Sequence, residues 1–280
     1  MWNELIGLDQ QITLWINGSD NLWLDGFALS ITSTMTWIPA ALVLLYVIIR
    51  HGEMREILLT ILALGLCILI ADQTASGLFK PLVARPRPTH DPVLMTMVDV
   101  VNDYRGGQYG FFSSHAANTM SVAVFAALLI RHRLLTWVML SWSLLNGWSR
   151  IYLGVHYFGD VMVGFAYGVL VGFGVYWLFR RFVPLVLRND PPGMRVRTLS
   201  GFLDGDARLL ALTLALLYLW AAFRGVLFAM YSAHFHSLTP SHLLLCPSRT
   251  DASSFPLYSS CFWLRPMSWH RFRATPTSAN

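Results

Sequence analysis

Charged residues make up only 12% of this sequence, about half the share of a typical soluble domain. So few charges exclude an ordinary water-soluble globule. Cysteine is scarcer still, with Cys67 inside an apolar run and Cys246 and Cys261 near the C-terminus. Neither their number nor their spacing suits a disulfide framework or a zinc site. The N-terminus lacks the basic start and compact apolar core of a signal peptide, which leaves insertion to the spans themselves. No internal repeat or heptad run is present. The formal net charge is +5, but the basic residues are scattered singly between apolar runs. That distribution argues against nucleic acid as a partner and for orientation across a bilayer.

What the sequence has in abundance is apolar surface. Hydrophobic residues reach 55%, with eleven Trp and seventeen Phe, the aromatic excess of a chain that meets lipid and its interfaces. Spans need about 20 mostly apolar residues, and residues 27–50, 57–79, 114–131, 134–153 and 159–179 meet that need. A sixth candidate, 207–230, contains Arg224 close enough to one end to snorkel. Residues 4–17 are too polar to cross. Leu5, Leu8, Ile12, Trp15 and Ile16 recur there at helical spacing, which predicts a helix lying in the interface; an amphipathic helix packed on protein is the other reading. The chain thus divides into an interfacial helix and lead-in (1–26), a transmembrane core (27–180), a Pro-rich linker (181–206), a sixth helix (207–231) and a disordered tail (232–280). The predicted fold class is all-α, an integral membrane bundle of five core helices plus the sixth.

The connections alternate. Arg50 to Arg55, Arg131-His132-Arg133 and Arg180-Arg181 are short, basic and otherwise plain. Residues 80–113 and 150–158 carry Pro, Gly, His and isolated charges. Span parity puts the first set on one side and the second on the other, and positive-inside bias assigns the basic set to the cytoplasm. The expected location is a bacterial inner membrane, with the second set facing the periplasm.

That outer set holds three dense segments: Lys80-Pro-Leu-Val-Ala-Arg-Pro-Arg87-Pro88, Phe112-Ser113-Ser114-His115, and Ser149-Arg150-Ile-Tyr-Leu-Gly-Val-His156-Tyr-Phe-Gly-Asp160. Lys80, Arg87 and Arg150 are cations with few nearby acids, suited to phosphate oxygens. Ser113 and Ser114 open a helix, where an anion is best received. His156 and Asp160 stand four apart, so on a helix the carboxylate can orient the imidazole, which makes His156 a candidate nucleophile. His115 is placed to protonate a departing oxygen. Singly, each residue has a plainer reading: Lys80 as a snorkelling anchor, the serines as helix caps, Arg150 and His156 as satisfied core groups. Arg85 reads as a surface charge. His90, Asp91, Asp99 and Asp103 match no metal-ligand spacing and read as solvated loop residues.

Together the segments resemble the type-2 phosphatidic acid phosphatase superfamily, whose signature is K-x6-R-P, P-S-G-H and S-R-x5-H-x3-D. The first is complete in Lys80, Arg87 and Pro88, and the third in Ser149, Arg150, His156 and Asp160. The middle one departs, with Phe112 for proline and Ser114 for glycine. The resemblance covers residues 57–180. It implies a metal-independent lipid phosphatase in which His156 attacks phosphorus and becomes a phosphohistidine, Asp160 orients it, and His115 protonates the leaving group. Lys80, Arg87, Arg150, Ser113 and Ser114 would bind the phosphoryl oxygens. The implied substrate is a lipid phosphate: isoprenyl diphosphate first, then phosphatidic acid, phosphatidylglycerol phosphate or lipid A. A non-catalytic lipid-phosphate binding or transport protein is the alternative. A vanadium haloperoxidase, with a similar anion pocket, is soluble and conflicts with the composition.

Overall fold

A computed structural model describes residues 2–17, 21–183, 198 and 200–238. Among them the only regular structure is helical. Helix α1 spans Trp2–Ile16, α2 Leu22–Thr32, α3 Thr34–His51, α4 Met54–Asp72, α5 Lys80–Val83, α6 Ser114–Ile130, α7 Arg133–Tyr152, α8 Phe158–Phe182 and α9 Asp204–Leu238. Between α4 and α5 the helix continues as a π-helical stretch, Gln73–Phe79.

Among the described residues, four helical segments are long and apolar enough to cross a membrane: Thr34–His51, Met54–Val83, Phe158–Phe182 and Asp204–His234. Helix α6 fills the bundle, lying against α4, α7 and α8, while α7 packs on α6, α9 and α2 and leaves Leu134, Trp137 and Leu144 exposed. Enclosure explains why α6 can be short, and the buried side of α7 carries its Ser143, Asn146 and Ser149.

The expected first span, 27–50, is corrected. Its leading residues belong to α2, and the chain breaks at Ser33, whose extended backbone caps α3. A run of hydroxyl residues competes with the helix ladder there: Thr36 Oγ1 donates to the Ser30 carbonyl at 2.7 Å. Helix α2 also crosses the expected 26/27 boundary. It packs on α9, where Gly26 and Gly225 let the backbones approach and Trp23 Nε1 donates to the Ala222 carbonyl at 3.0 Å. Helix α9 in turn runs through residues 232–238, which were assigned to the tail; residues 239–280, and 184–197 of the linker, lie outside the described residues.

Helices α6 and α8 meet most closely. Gly164, Gly168 and Gly172 form a stripe on α8, and a Cβ at any of them would fall 2.6–2.7 Å from the Ser113, Ala117 or Ser121 carbonyl of α6. Small residues four apart are a common device for bringing membrane helices together. Here they bring the start of α8, with Asp160, against the start of α6, where the Ser113 N–H donates to the Asp160 carbonyl at 3.0 Å.

Candidate active site

The three motif segments converge where α5 ends, α6 begins and α7 turns into α8. Lys80 Nζ donates to Ser76 Oγ at 3.0 Å and to Ser114 Oγ at 3.2 Å, so the serine in the glycine position contacts the first cation. The Ser113 hydroxyl accepts the Ala116 N–H at 3.4 Å as the N-cap of α6. Its own N–H is spent on Asp160, which leaves its hydroxyl proton as the donor it can offer a ligand. His115 is half-buried, second in α6.

Arg87 and Arg150 are buried at 7% and 3% exposure. Arg87 Nη1 donates to the Val155 carbonyl at 3.0 Å and lies 3.1 Å from His156 Nε2. Arg150 Nη1 donates to Thr32 Oγ1 at 2.7 Å and Tyr104 Oη at 2.8 Å, while its buried Nε meets no acceptor among the described residues. Neither arginine, nor Lys80, has a carboxylate ion-pair partner among those residues. Buried and mutually repelling, they suit an anion. Burial, then Arg150, pulls the Arg87 guanidinium down to about 10.

His156 is 1% exposed. A guanidinium only donates, so the Arg87 contact makes Nε2 the acceptor and assigns the ring proton to Nδ1. Nδ1 faces Asp160 Oδ2 at 3.6 Å, which is too long for a hydrogen bond, and is otherwise unpartnered among the described residues. Burial first, then the charges of Arg87, Arg150, Lys80 and His115, hold the imidazole well below its ordinary value of 6.5. A neutral imidazole with its lone pair among cations has the form required for attack on phosphorus. An unpaired buried donor costs about 1–3 kcal/mol, and two in one pocket suit a ligand site better than a packed core.

Arg85 is not the surface charge that its sequence position implied. Its side chain is 25% exposed, Nη1 donates to Asp160 Oδ1 at 2.9 Å, and Nη2 donates to Asp9 Oδ2 at 2.7 Å. Burial opposes its charge, but Asp160 and Asp9 outweigh that and raise it above the ordinary arginine range. Asp9 belongs to α1, and its Oδ1 accepts the Gly159 N–H at 2.7 Å. Sequence reading also missed Thr32, Tyr104 and Gly110. A Cβ on Gly110 would lie 3.0 Å from Asp160 Oδ2 and 3.7 Å from His156 Nδ1. One signal was available: Asp9 and Thr13 stand one turn apart on α1, on a side turned away from the exposed Leu8 and Trp15. The loop acids are employed separately. Asp91 accepts from Tyr157 Oη at 2.8 Å and Asp103 pairs with Arg105 at 3.0 Å.

Comparison with known proteins shows the family and the fold. The family profile described as the PAP2 superfamily matches residues 56–184. The chain is 37% identical over 175 residues to the lipid A 4'-phosphatase of Porphyromonas gingivalis, covering 62% of this chain and 74% of that protein. It is 30% identical over 122 residues to the undecaprenyl-diphosphatase BcrC of Bacillus subtilis, covering 42% of this chain and 60% of that protein. The crystal structure of a transmembrane PAP2-type phosphatidylglycerolphosphate phosphatase from Bacillus subtilis superposes with a TM-score of 0.51 at 22% identity, over 66% of this chain and 90% of that one. Bundle, motifs and relatives agree, and the chain belongs to the PAP2 superfamily.

Proposed function

We propose that this membrane lipid phosphatase cleaves a phosphate ester through a phosphohistidine on His156. The contact of Arg87 Nη1 with His156 Nε2 carries the reading, since it leaves the lone pair of Nε2 facing the cations that would hold a phosphoryl group. An entering phosphate takes over Arg87, and Nε2 attacks phosphorus as the bond to the lipid oxygen breaks. His115, protonated under the influence of the phosphate's charge, gives its proton to the departing oxygen. His115 then takes a proton from water as the water attacks the phosphohistidine, and inorganic phosphate leaves. Lys80, Arg87, Arg150 and the hydroxyls of Ser113 and Ser114 bind the three phosphoryl oxygens. Charge stabilisation of this kind is usually the largest catalytic term. Asp160 holds Nδ1–H once the ring turns to close the present gap; catalytic hydrogen bonds are often long before substrate arrives.

The greater identity to lipid A 4'-phosphatases than to an undecaprenyl-diphosphatase favours a sugar-linked lipid phosphate over the isoprenyl diphosphate that the motifs alone put first. The basic loops at the opposite end of the bundle favour a cytoplasmic position for that end and an active site facing the periplasm.

The test is a rapid quench into alkaline detergent of purified protein mixed with ³²P-labelled lipid A and, separately, undecaprenyl diphosphate. An alkali-stable, acid-labile label on the chain, absent in His156→Ala, is the expected result. Phosphate release by His156→Ala at the normal rate would remove the mechanism.

A further inference from the structure

We propose that Asp9 and Arg85 are positioning residues for the His156–Asp160 pair, which makes helix α1 a working part of the active site; the proposal rests on the reading of His156 as nucleophile.

Asp160 is fully buried, and its rotation decides which oxygen faces the imidazole. Arg85 occupies Oδ1 at 2.9 Å, while Oδ2 takes the Tyr157 N–H at 3.2 Å and faces His156 Nδ1. Donors on both oxygens fix the carboxylate plane. Arg85 is itself held from several directions. Its second arm is on Asp9, and its face lies 3.8 Å from the centre of the Tyr157 ring, whose hydroxyl is tied to Asp91. A planar fork between two carboxylates is a geometry that lysine cannot fully reproduce.

Helix α1 also places the backbone that carries Asp160. Thr13 Oγ1 accepts the Phe158 N–H at 3.0 Å and Asp9 Oδ1 accepts the Gly159 N–H at 2.7 Å. These are the first two N–H groups of α8, which its own turns cannot satisfy. Caps ordinarily come from the chain just before a helix; here a distant helix supplies them.

Charge gives the arrangement a chemical consequence. A buried carboxylate whose full charge fell on His156 would favour the protonated imidazole, which cannot attack. Arg85 draws on that charge, and Asp9 balances Arg85. With both arms engaged, Arg85 has little left for phosphate, unlike Lys80, Arg87 and Arg150.

Full-length Asp9→Asn, Arg85→Gln, Arg85→Lys, Arg87→Gln and His156→Ala would be assayed for kcat, for inhibition by inorganic phosphate, and for the acid limb of kcat/KM against pH. The groups facing His156 are Asp160, His115, Lys80, Arg87 and Arg150, and all remain in the Asp9 and Arg85 variants. Arg85→Gln should lower kcat on the order of 10²-fold, the scale of a small misplacement of a reacting group. It should also move the acid limb to higher pH and leave the phosphate inhibition constant within about twofold. Arg85→Lys should recover part of kcat. Asp9→Asn keeps an acceptor for Gly159 and should lose less. Normal kcat with an unmoved acid limb in both Arg85→Gln and Asp9→Asn would overturn the proposal. So would a phosphate constant raised in Arg85→Gln as in Arg87→Gln, which would make Arg85 a phosphate ligand. Loss of kcat with an unmoved limb and no rescue by lysine would reduce the pair to scaffold and also overturn it. Turnover by His156→Ala would defeat the nucleophile reading itself; with that variant silent, the other results judge Asp9 and Arg85 alone.

Discussion

Histidine–aspartate pairs stand at both ends of this bundle, and they differ in one respect. At the end formed by the basic loops, His51 Nε2 lies 2.7 Å from Asp206 and His132 Nε2 lies 3.0 Å from Asp204. Arg50 adds a second contact to Asp206 at 3.0 Å, and the other ring nitrogen of His132 accepts the Leu135 N–H at 3.2 Å. Each pair is closed, and together they fasten the start of α9 to the end of α3 and to the loop after α6. At the motif end, His156 and Asp160 stand 3.6 Å apart with cations on the far side of the ring. Residue types are the same and satisfaction is not. Closed pairs hold helices together, whereas an open pair among unneutralised cations retains unfavourable energy that a phosphate can relieve.

Exchanging histidines tests that contrast most severely. His156→Asn should cut kcat by at least roughly 10³-fold, whereas His51→Asn should leave it within about twofold; equal losses in the two would erase the distinction. Packing comes next. Gly168→Leu would force its Cβ to within 2.6 Å of the Ala117 carbonyl, and overpacking of this kind costs about 3 kcal/mol. Because the same stripe delivers Asp160 to the site, detergent unfolding and kcat should worsen together. A stable but inactive Gly168→Leu would still implicate the α6–α8 approach, and unchanged kcat would not. The effect of pH is smaller and signed. Burial and the flanking cations depress His156 below 6.5, so its neutral form, and with it kcat/KM, persists below the usual histidine range. Arg87→Gln removes one cation, favours the protonated ring, and should move the acid limb to higher pH. An acid limb that stays in place or moves down would mean that the ring senses Arg87 less than the geometry implies. Smallest in its effect on turnover is Asp206→Asn, expected to lower stability by about 1–3 kcal/mol because a buried carboxylate between Arg50 and the nearly buried His51 loses its charge, with kcat unchanged. A thermal melt and a kcat measurement on one preparation decide it.

The site was legible where chemistry and spacing coincide along the chain. His156 and Asp160 are one helical turn apart, and that relation survives any tertiary arrangement. Lys80, Arg87, Ser113, Ser114, His115 and Arg150 do come to one end of the bundle, as the parity of the spans required. The hydroxyl run at Ser30 to Thr36 was legible in principle as a helix break, yet an apolar window passed over it because its flanks are equally hydrophobic. Arg85 was misread because a loop arginine two residues from a motif arginine carries no mark of its partners. Helix α1 was half-read. Its apolar stripe predicted a helix lying in the interface or packed on protein, and the side bearing Asp9, Thr13 and Ile16 is the one that packs on the start of α8 and its neighbours.

Length and apolar content of the helical segments, their alternation with basic and motif-bearing loops, and the phosphate chemistry of those motifs were determined by the sequence alone. Each depends only on composition or on local helical geometry. Tertiary packing decided which ring nitrogen of His156 carries the proton, how far Asp160 stands from it, and what holds Asp160 in place. Those outcomes turn on partners 69, 75 and 150 residues apart in the chain: Arg87 with His156, Arg85 with Asp160, and Asp9 with Gly159. No periodicity links residues at such separations. They meet because glycines on α8 let α6 approach and because the first turn of α8 has N–H groups that α1 caps.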